Sequence, residues 1–171
     1  MSPSKIYVRM FFMKDIKGNS VSDSAAEAVQ VVLPNDTNPL GNVLGGQVMH
    51  WIDMIAAVVA VRHSQRPVVT AAMERLEFHS PIRLGQIAIL KAALNYVGRT
   101  SMEVGVEVYA EDFRTGKRHH TSSALLTYVA LDDEGKPTPV PPLHTETPEE
   151  KRRYMEAEKR YQERKQRQAV R

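Results

Sequence analysis

The chain has no cysteine, a single tryptophan and only 6% aromatic residues. Without thiols it can build no disulfide framework, no thiolate metal site and no cysteine nucleophile, a composition that suits a reducing compartment. Long apolar runs are missing too. A membrane-spanning helix needs about 20 consecutive apolar residues, and the uninterrupted run at 54–61 is far shorter. Nothing reads as a secretory leader: the apolar residues 10–13 are few, follow Arg9 and precede no small-residue cleavage site. These absences lead us to expect a cytoplasmic protein with no membrane insertion.

A strong charge of one sign is also lacking. The net charge is +3, but residues 148–171 hold nine Lys/Arg against five Glu, a local +4, so residues 1–147 carry −1. A basic tail on a neutral body is a poor nucleic-acid signal. The tail offers Tyr154 and Tyr161 but no aromatic ladder for stacking bases, and its interspersed Glu residues read as a solvated helix. No nucleic-acid partner is expected.

What the chain does have is concentrated at residues 42–61, NVLGGQVMHWIDMIAAVVAV. A helix apolar on every side is a core helix, yet this one carries a carboxylate, Asp53. A charge in such surroundings is costly unless paired, hydrogen-bonded or used. Gly45 and Gly46 leave the first-turn N–H groups uncovered, with the positive end of the helix dipole behind them. Such an end can receive an anion or a developing oxyanion.

Around this helix the periodicity is that of strands. Val29, Val31 and Leu33 recur at period two before the turn formers of 34–39. Residues 68–78, 86–97, 101–111 and 117–131 read as four more strands. In 101–111, Met102, Val104, Val106, Val108 and Ala110 alternate with Ser101, Glu103, Glu107 and Glu111, a half-buried antiparallel pattern. Gly98-Arg99 and Thr115-Gly116 sit where hairpin turns belong. One long helix and about five strands without βαβ alternation define an α+β class, the helix lying against a curved, mostly antiparallel sheet.

Three regions result. Residues 1–25, including a strand-like piece at 6–13, read as a mostly flexible segment; 26–134 form the folded domain; 135–171 form a proline-rich spacer and a charged helix. Thr147-Pro148-Glu149-Glu150 starts that helix with an N-cap, proline at the first position and a capping-box glutamate. Only Tyr154, Met155, Ala157 and Tyr161 are available for it to pack.

Taken together, GNVLGGQVMHWID, VVTAAMERLEFHSPIRLGQ, YVGRTSMEVGVEV, ALLTYVALDDEGKPTPVPPL and the TPEEKRRY helix start resemble the hotdog-fold acyl-CoA thioesterases, in particular the cytosolic acyl-CoA hydrolase subfamily, over residues 26–168. The resemblance implies a hotdog fold and a homodimer whose subunits share a sheet and complete each other's active sites. It further implies a trimer of such dimers, and hydrolysis of an acyl-CoA to fatty acid and coenzyme A without a separate cofactor. It places the catalytic asparagine and acid on Asn42 and Asp53.

On that basis Asp53 is a general base or nucleophile, the Gly46 N–H polarises the carbonyl, and Asn42 orients water or substrate. Gly45, Arg99, Thr100, Ser101 and Arg83 are expected near the CoA moiety, where guanidinium and hydroxyl groups suit phosphate oxygens. Each has a plainer reading. Asp53 could satisfy a buried backbone group or pair with Arg62 or Arg75; Asn42 could cap a turn; the glycines could serve close packing; residues 99–101 could be a simple hairpin. Asp53 and Gly46 are seven residues apart, so they share a helix face at about 10 Å. That spacing is too wide for one thioester carbonyl and points to a partner helix.

His50 reads as a core histidine. His119 and His120 are adjacent on a strand and point to opposite faces, so no metal site is expected. A non-hydrolytic acyl-CoA-binding regulatory protein is the alternative, and it would be expected if the acid or the asparagine were missing. A hotdog dehydratase would carry its histidine at the helix start, where this chain reads GNVLGG.

Overall fold

The structure is a computed structural model that describes residues 20–169; the strand-like piece expected at 6–13 lies outside the described residues. Five strands form one antiparallel sheet: β1 (Ala26–Val31), β2 (Val68–Phe78), β3 (Ile87–Val97), β4 (Ser101–Glu111) and β5 (Arg118–Ala130). Their spatial order is β1-β3-β4-β5-β2. Among the described residues three α-helices accompany them, α1 (Val21–Ser24), α2 (Gly45–Ser64) and α3 (Pro148–Ala169), with a 3-10 turn at Pro34–Asp36.

The expected strands fall within one residue of those formed, except that the first ends at Val31. Alternation explains the sheet. Met102, Val104, Val106, Val108 and Ala110 are all fully buried toward α2, and they join Leu90, Leu94, Leu126 and Tyr128 in one apolar core. Register shifts in β2–β5, β3–β4 and β4–β5 pairing bend the bulged strands, and α2 touches all five. At the edge strand β1 the periodic Val29 and Val31 face solvent, while Ala26 and Ala28 pack on the core.

Residues 20–25 depart from the flexible segment expected of 1–25. Ser20 starts the single turn of α1 by a capping box with Asp23, and Val21 and Ser24 are buried.

Helix α2 is apolar all round but only half covered. Ile52, Ala56, Val59 and Ala60 are fully buried, whereas Met54, Val58 and Val61 are 57%, 43% and 43% exposed. The full burial expected for a core helix does not hold within the chain, because the sheet covers a single side of the cylinder.

The charged tail is not simply a solvated helix. α3 starts with the expected box, Thr147 N–H donating to Glu150 Oε2 at 3.1 Å and Glu150 N–H to Thr147 Oγ1 at 3.2 Å. It then packs on the sheet face opposite α2. Ala157 is fully buried, and Tyr154 and Tyr161 stack on Tyr96 with centroids 5.0 and 5.1 Å apart. A Cβ on Gly98 would lie 3.0 Å from Tyr161 Cζ, so the β3–β4 turn fits closely under α3. Met155, expected to pack, is exposed.

Candidate active site

The segment before α2 is held by its own polar residues. Asn38 Oδ1 accepts the N–H groups of Leu40 at 3.0 Å and Asn42 at 3.2 Å, an Asx arrangement that closes a tight turn. Gly41 completes it at φ +74, a left-handed conformation open to glycine. Asn42 then bridges Arg83 in antiparallel fashion, and Val43 N–H donates to Ile82 O at 2.8 Å. Asn42, Arg83, Gly45 and Gly46 are thereby gathered at one end of α2.

That end is open. No side chain caps it. A Cβ on Gly45 would meet Phe78 Cζ at an ordinary 3.6 Å, and one on Gly46 would meet nothing within 4 Å. Close packing within the chain therefore gives no reason for glycine at 46. What the glycine leaves is access to first-turn N–H groups at the positive end of a helix dipole.

Asp53 lies two turns further along and is half-buried. It pairs with neither Arg62, which donates to Ala25 O at 3.0 Å, nor Arg75, which pairs with Glu77 at 2.8 Å. Its partners are two neutral hydroxyls. Thr70 Oγ1 on β2 donates to Asp53 Oδ1 at 2.8 Å, and the Tyr128 hydroxyl on β5 donates to the same oxygen at 2.7 Å and to the Asp53 carbonyl at 2.9 Å. The carboxylate is thus oriented by two donors without a compensating cation. Burial pushes the Tyr128 hydroxyl's pKa far up, reinforced by its hydrogen bond to Asp53, so it stays a donor.

Residues 98–100 form the hairpin turn between β3 and β4, and Ser101 opens β4. Gly98 N–H donates to Ser101 O at 2.8 Å, and Val140 N–H to Arg99 O at 3.0 Å. Ser101 is paired with Val129, next to Tyr128, so this turn lies at the end of the sheet that serves Asp53. The expected CoA-contacting residues therefore divide: Arg83 and Gly45 stand near the helix start, and Arg99, Thr100 and Ser101 stand elsewhere.

Thr70 and Tyr128 lie inside two of the segments that carry the family resemblance, but nothing in the sequence singles them out there; one reads as an ordinary strand residue and the other as core. Asn38 was legible only as one of several turn formers. A groove of about 720 Å³ lies on the opposite sheet face beside α3, lined by Arg75, Lys91, Asn95, Glu107, Arg153 and others; it does not include Asp53. Among the described residues no three His, Cys, Asp or Glu side chains could hold a metal ion, and no helix is long and apolar enough to cross a membrane.

The model of the thioesterase superfamily matches residues 40–117. The chain is 39% identical over 145 residues to the rat cytosolic acyl coenzyme A thioester hydrolase, covering 84% of this chain and 38% of that protein. It thus spans less than two fifths of that relative's length. The acyl-CoA hydrolase of Staphylococcus aureus, solved with butyryl coenzyme A and coenzyme A, superposes with a TM-score of 0.82 at 39% identity, covering 88% of this chain and 92% of that one. Variants of that enzyme have also been solved in which an aspartate, an asparagine 15 positions before it and a threonine 17 positions after it are each replaced by alanine. An apo-hexameric acyl-CoA thioesterase superposes with a TM-score of 0.83 at 43% identity, covering 89% of this chain and 99% of that one. Helix-on-sheet architecture, the open glycine pair and similarity over more than four fifths of this chain agree: the chain belongs to the hotdog-fold thioesterase superfamily, within its family of acyl-CoA thioester hydrolases.

Proposed function

We propose that this protein hydrolyses an acyl-CoA thioester to a free fatty acid and coenzyme A, with Asp53 as the catalytic carboxylate, a general base or nucleophile. The observation that carries this reading is a carboxylate fixed by Thr70 and Tyr128, with no cation to neutralise it, on the helix whose N-terminus lies open at Gly46. Asp53 takes a proton from water as the oxygen attacks the acyl carbon, or attacks that carbon itself to give an anhydride that water opens. The Gly46 N–H stabilises the oxyanion. In either route the tetrahedral intermediate collapses with cleavage of the C–S bond, which in the second precedes opening of the anhydride by water; the coenzyme A thiolate leaves and takes its proton from Asp53 in the first route and from water in the second. Side chains, backbone and water suffice for these steps, so no cofactor is assigned.

The asparagine role passes from Asn42 to Asn38 in this proposal. Measured from Asp53, the spacings of the residues replaced in the S. aureus enzyme fall on Asn38 and Thr70. Asn38 uses Oδ1 on two backbone amides, which leaves Nδ2 as the donor for substrate or water. Asn42 acts through its backbone, tying the loop to Arg83. Arg83 and Arg99 are exposed and are assigned to the phosphates of coenzyme A, with Thr100 and Ser101 beside Arg99.

Gly46 and Asp53 are about 10 Å apart along α2, so one carbonyl cannot meet both from the same subunit. A second copy laid over Met54, Val58 and Val61 would cover the exposed apolar side of α2 and bring the complementary group. A homodimer that completes the site follows from this reading, and the existence of a hexameric neighbour supports a further assembly of three such dimers. A cytoplasmic location accords with the cytosolic relative.

The test is free-thiol release from short, medium and long acyl-CoAs. The chain has no cysteine of its own, so the signal is product alone. Asp53→Asn is expected to abolish turnover with CoA binding and melting temperature retained. Asn38→Ala should cost far more activity than Asn42→Ala. Substantial turnover by folded Asp53→Asn would overturn the assignment.

A further inference from the structure

The two oxygens of the Asp53 carboxylate are not equivalent. Every hydrogen bond it makes among the described residues falls on Oδ1, from Thr70 at 2.8 Å and Tyr128 at 2.7 Å, and Oδ2 makes none. Tyr128 is almost fully buried, and its ring on β5 belongs to the apolar core. The same hydroxyl lies 2.9 Å from the Asp53 backbone carbonyl, so its single proton is shared between the side chain, at the shorter distance, and the main chain of that residue. Thr70 approaches from the edge strand and is exposed; Tyr128 approaches from beneath.

We infer that Tyr128 is a positioning residue for the hydrolysis: it anchors Oδ1 and thereby presents Oδ2 as the oxygen that reacts. This rests on the reading of Asp53 as the catalytic carboxylate. The physical reason is orientation. A free aspartate interchanges its oxygens by rotation about its terminal torsion, which is broad and roughly two-fold. Two donors on one oxygen select a single orientation, and a catalytic group held in its reactive geometry avoids the entropy of finding it. A phenol suits the task. Being neutral, it leaves the carboxylate charge intact, and being buried, it remains protonated across the working pH range. A cation in its place would hold the group equally well but would draw off the electron density that the reaction needs.

The experiment compares Tyr128→Phe with the wild-type enzyme. The substitution removes one oxygen and keeps the ring that fills the core. A hydrogen bond to a charged group contributes enough for about a tenfold effect. We expect kcat to fall about tenfold with KM for acyl-CoA within twofold, in protein of wild-type circular dichroism and oligomeric state. A merely structural tyrosine would instead lower stability and leave kcat of the folded fraction unchanged, and that result overturns the inference. Asp53→Asn is measured alongside. If it stays active, the reading of Asp53 fails; if it is inactive while Tyr128→Phe keeps wild-type kcat, only the inference about Tyr128 fails.

A second measurement needs no variant. A crystal structure of the wild-type enzyme with coenzyme A should show Thr70 and Tyr128 on Oδ1 and a water, or the space for the acyl carbon, at Oδ2. Water or ligand on Oδ1, with the tyrosine hydroxyl turned elsewhere, overturns the proposal.

Discussion

Arg160 forks onto Glu103 across the α3–sheet interface, its Nε 3.1 Å from Oε2 and its Nη2 2.7 Å from Oε1. Glu103 is only 3% exposed, and Asn95 Nδ2 donates to Oε1 at 3.2 Å. The pair holds Arg160 firmly protonated, its pKa raised by the hydrogen bond to Glu103. Beside it, Arg164 pairs with Glu74, which also accepts from Thr127 at 2.5 Å. Thr127 precedes Tyr128 on β5, so the outer face that anchors α3 backs directly onto the residue that holds Asp53.

Arg160→Ala leaves Glu103 buried with a single amide for company. Removing one member of a buried pair is strongly unfavourable because the remaining charge is uncompensated. Since Arg160 is itself partly exposed, we expect a loss of about 2 to 3 kcal/mol in urea unfolding, with a smaller loss for the double variant Arg160→Ala, Glu103→Leu. Equal losses in the two variants would contradict the account.

His63 links stability to pH. It is buried near the end of α2, its Nε2 donates to Pro141 O at 2.8 Å, and its Nδ1 is buried without a partner. Burial holds its pKa below the ordinary 6.5. The unfolded chain therefore binds a proton more readily than the folded one. The stability carried by neutral His63 is full above about pH 6.5 and is lost as the pH falls below it toward the lowered folded value. His63→Gln should be less stable at pH 7.5 yet lose less than wild type between pH 7.5 and 5.5, measured by urea unfolding. An unchanged difference would show that other groups set the slope.

The oxyanion role proposed for Gly46 can be tested against stability. A Cβ there meets nothing, and alanine favours a helix over glycine by about 1 kcal/mol. Gly46→Ala should therefore raise the unfolding free energy by up to about 1 kcal/mol. It should lower kcat/KM about tenfold or more by obstructing the approach of the carbonyl to the first-turn N–H groups. Higher stability with undiminished turnover would remove Gly46 from the site.

Most of the architecture was legible in the residues. Strict alternation in β4 can satisfy only one face of a sheet, and the Thr147–Glu150 box can only start a helix. Asp53 was singled out by contrast with its apolar neighbours, and the open helix start followed from a glycine pair with nothing to cover it. These are local properties, and local sequence carries them.

What the sequence could not give was which distant groups meet. Thr70 and Tyr128 are 17 and 75 residues from Asp53, and their convergence depends on β5 pairing with β2 rather than on any motif. The exposed side of α2 and the burial of Glu103 under α3 likewise arise from which face each element turns to the sheet. Periodicity states that a helix or strand has faces. Only the packed structure decides what each face touches, because that choice is made by the sum of contacts across the whole sheet.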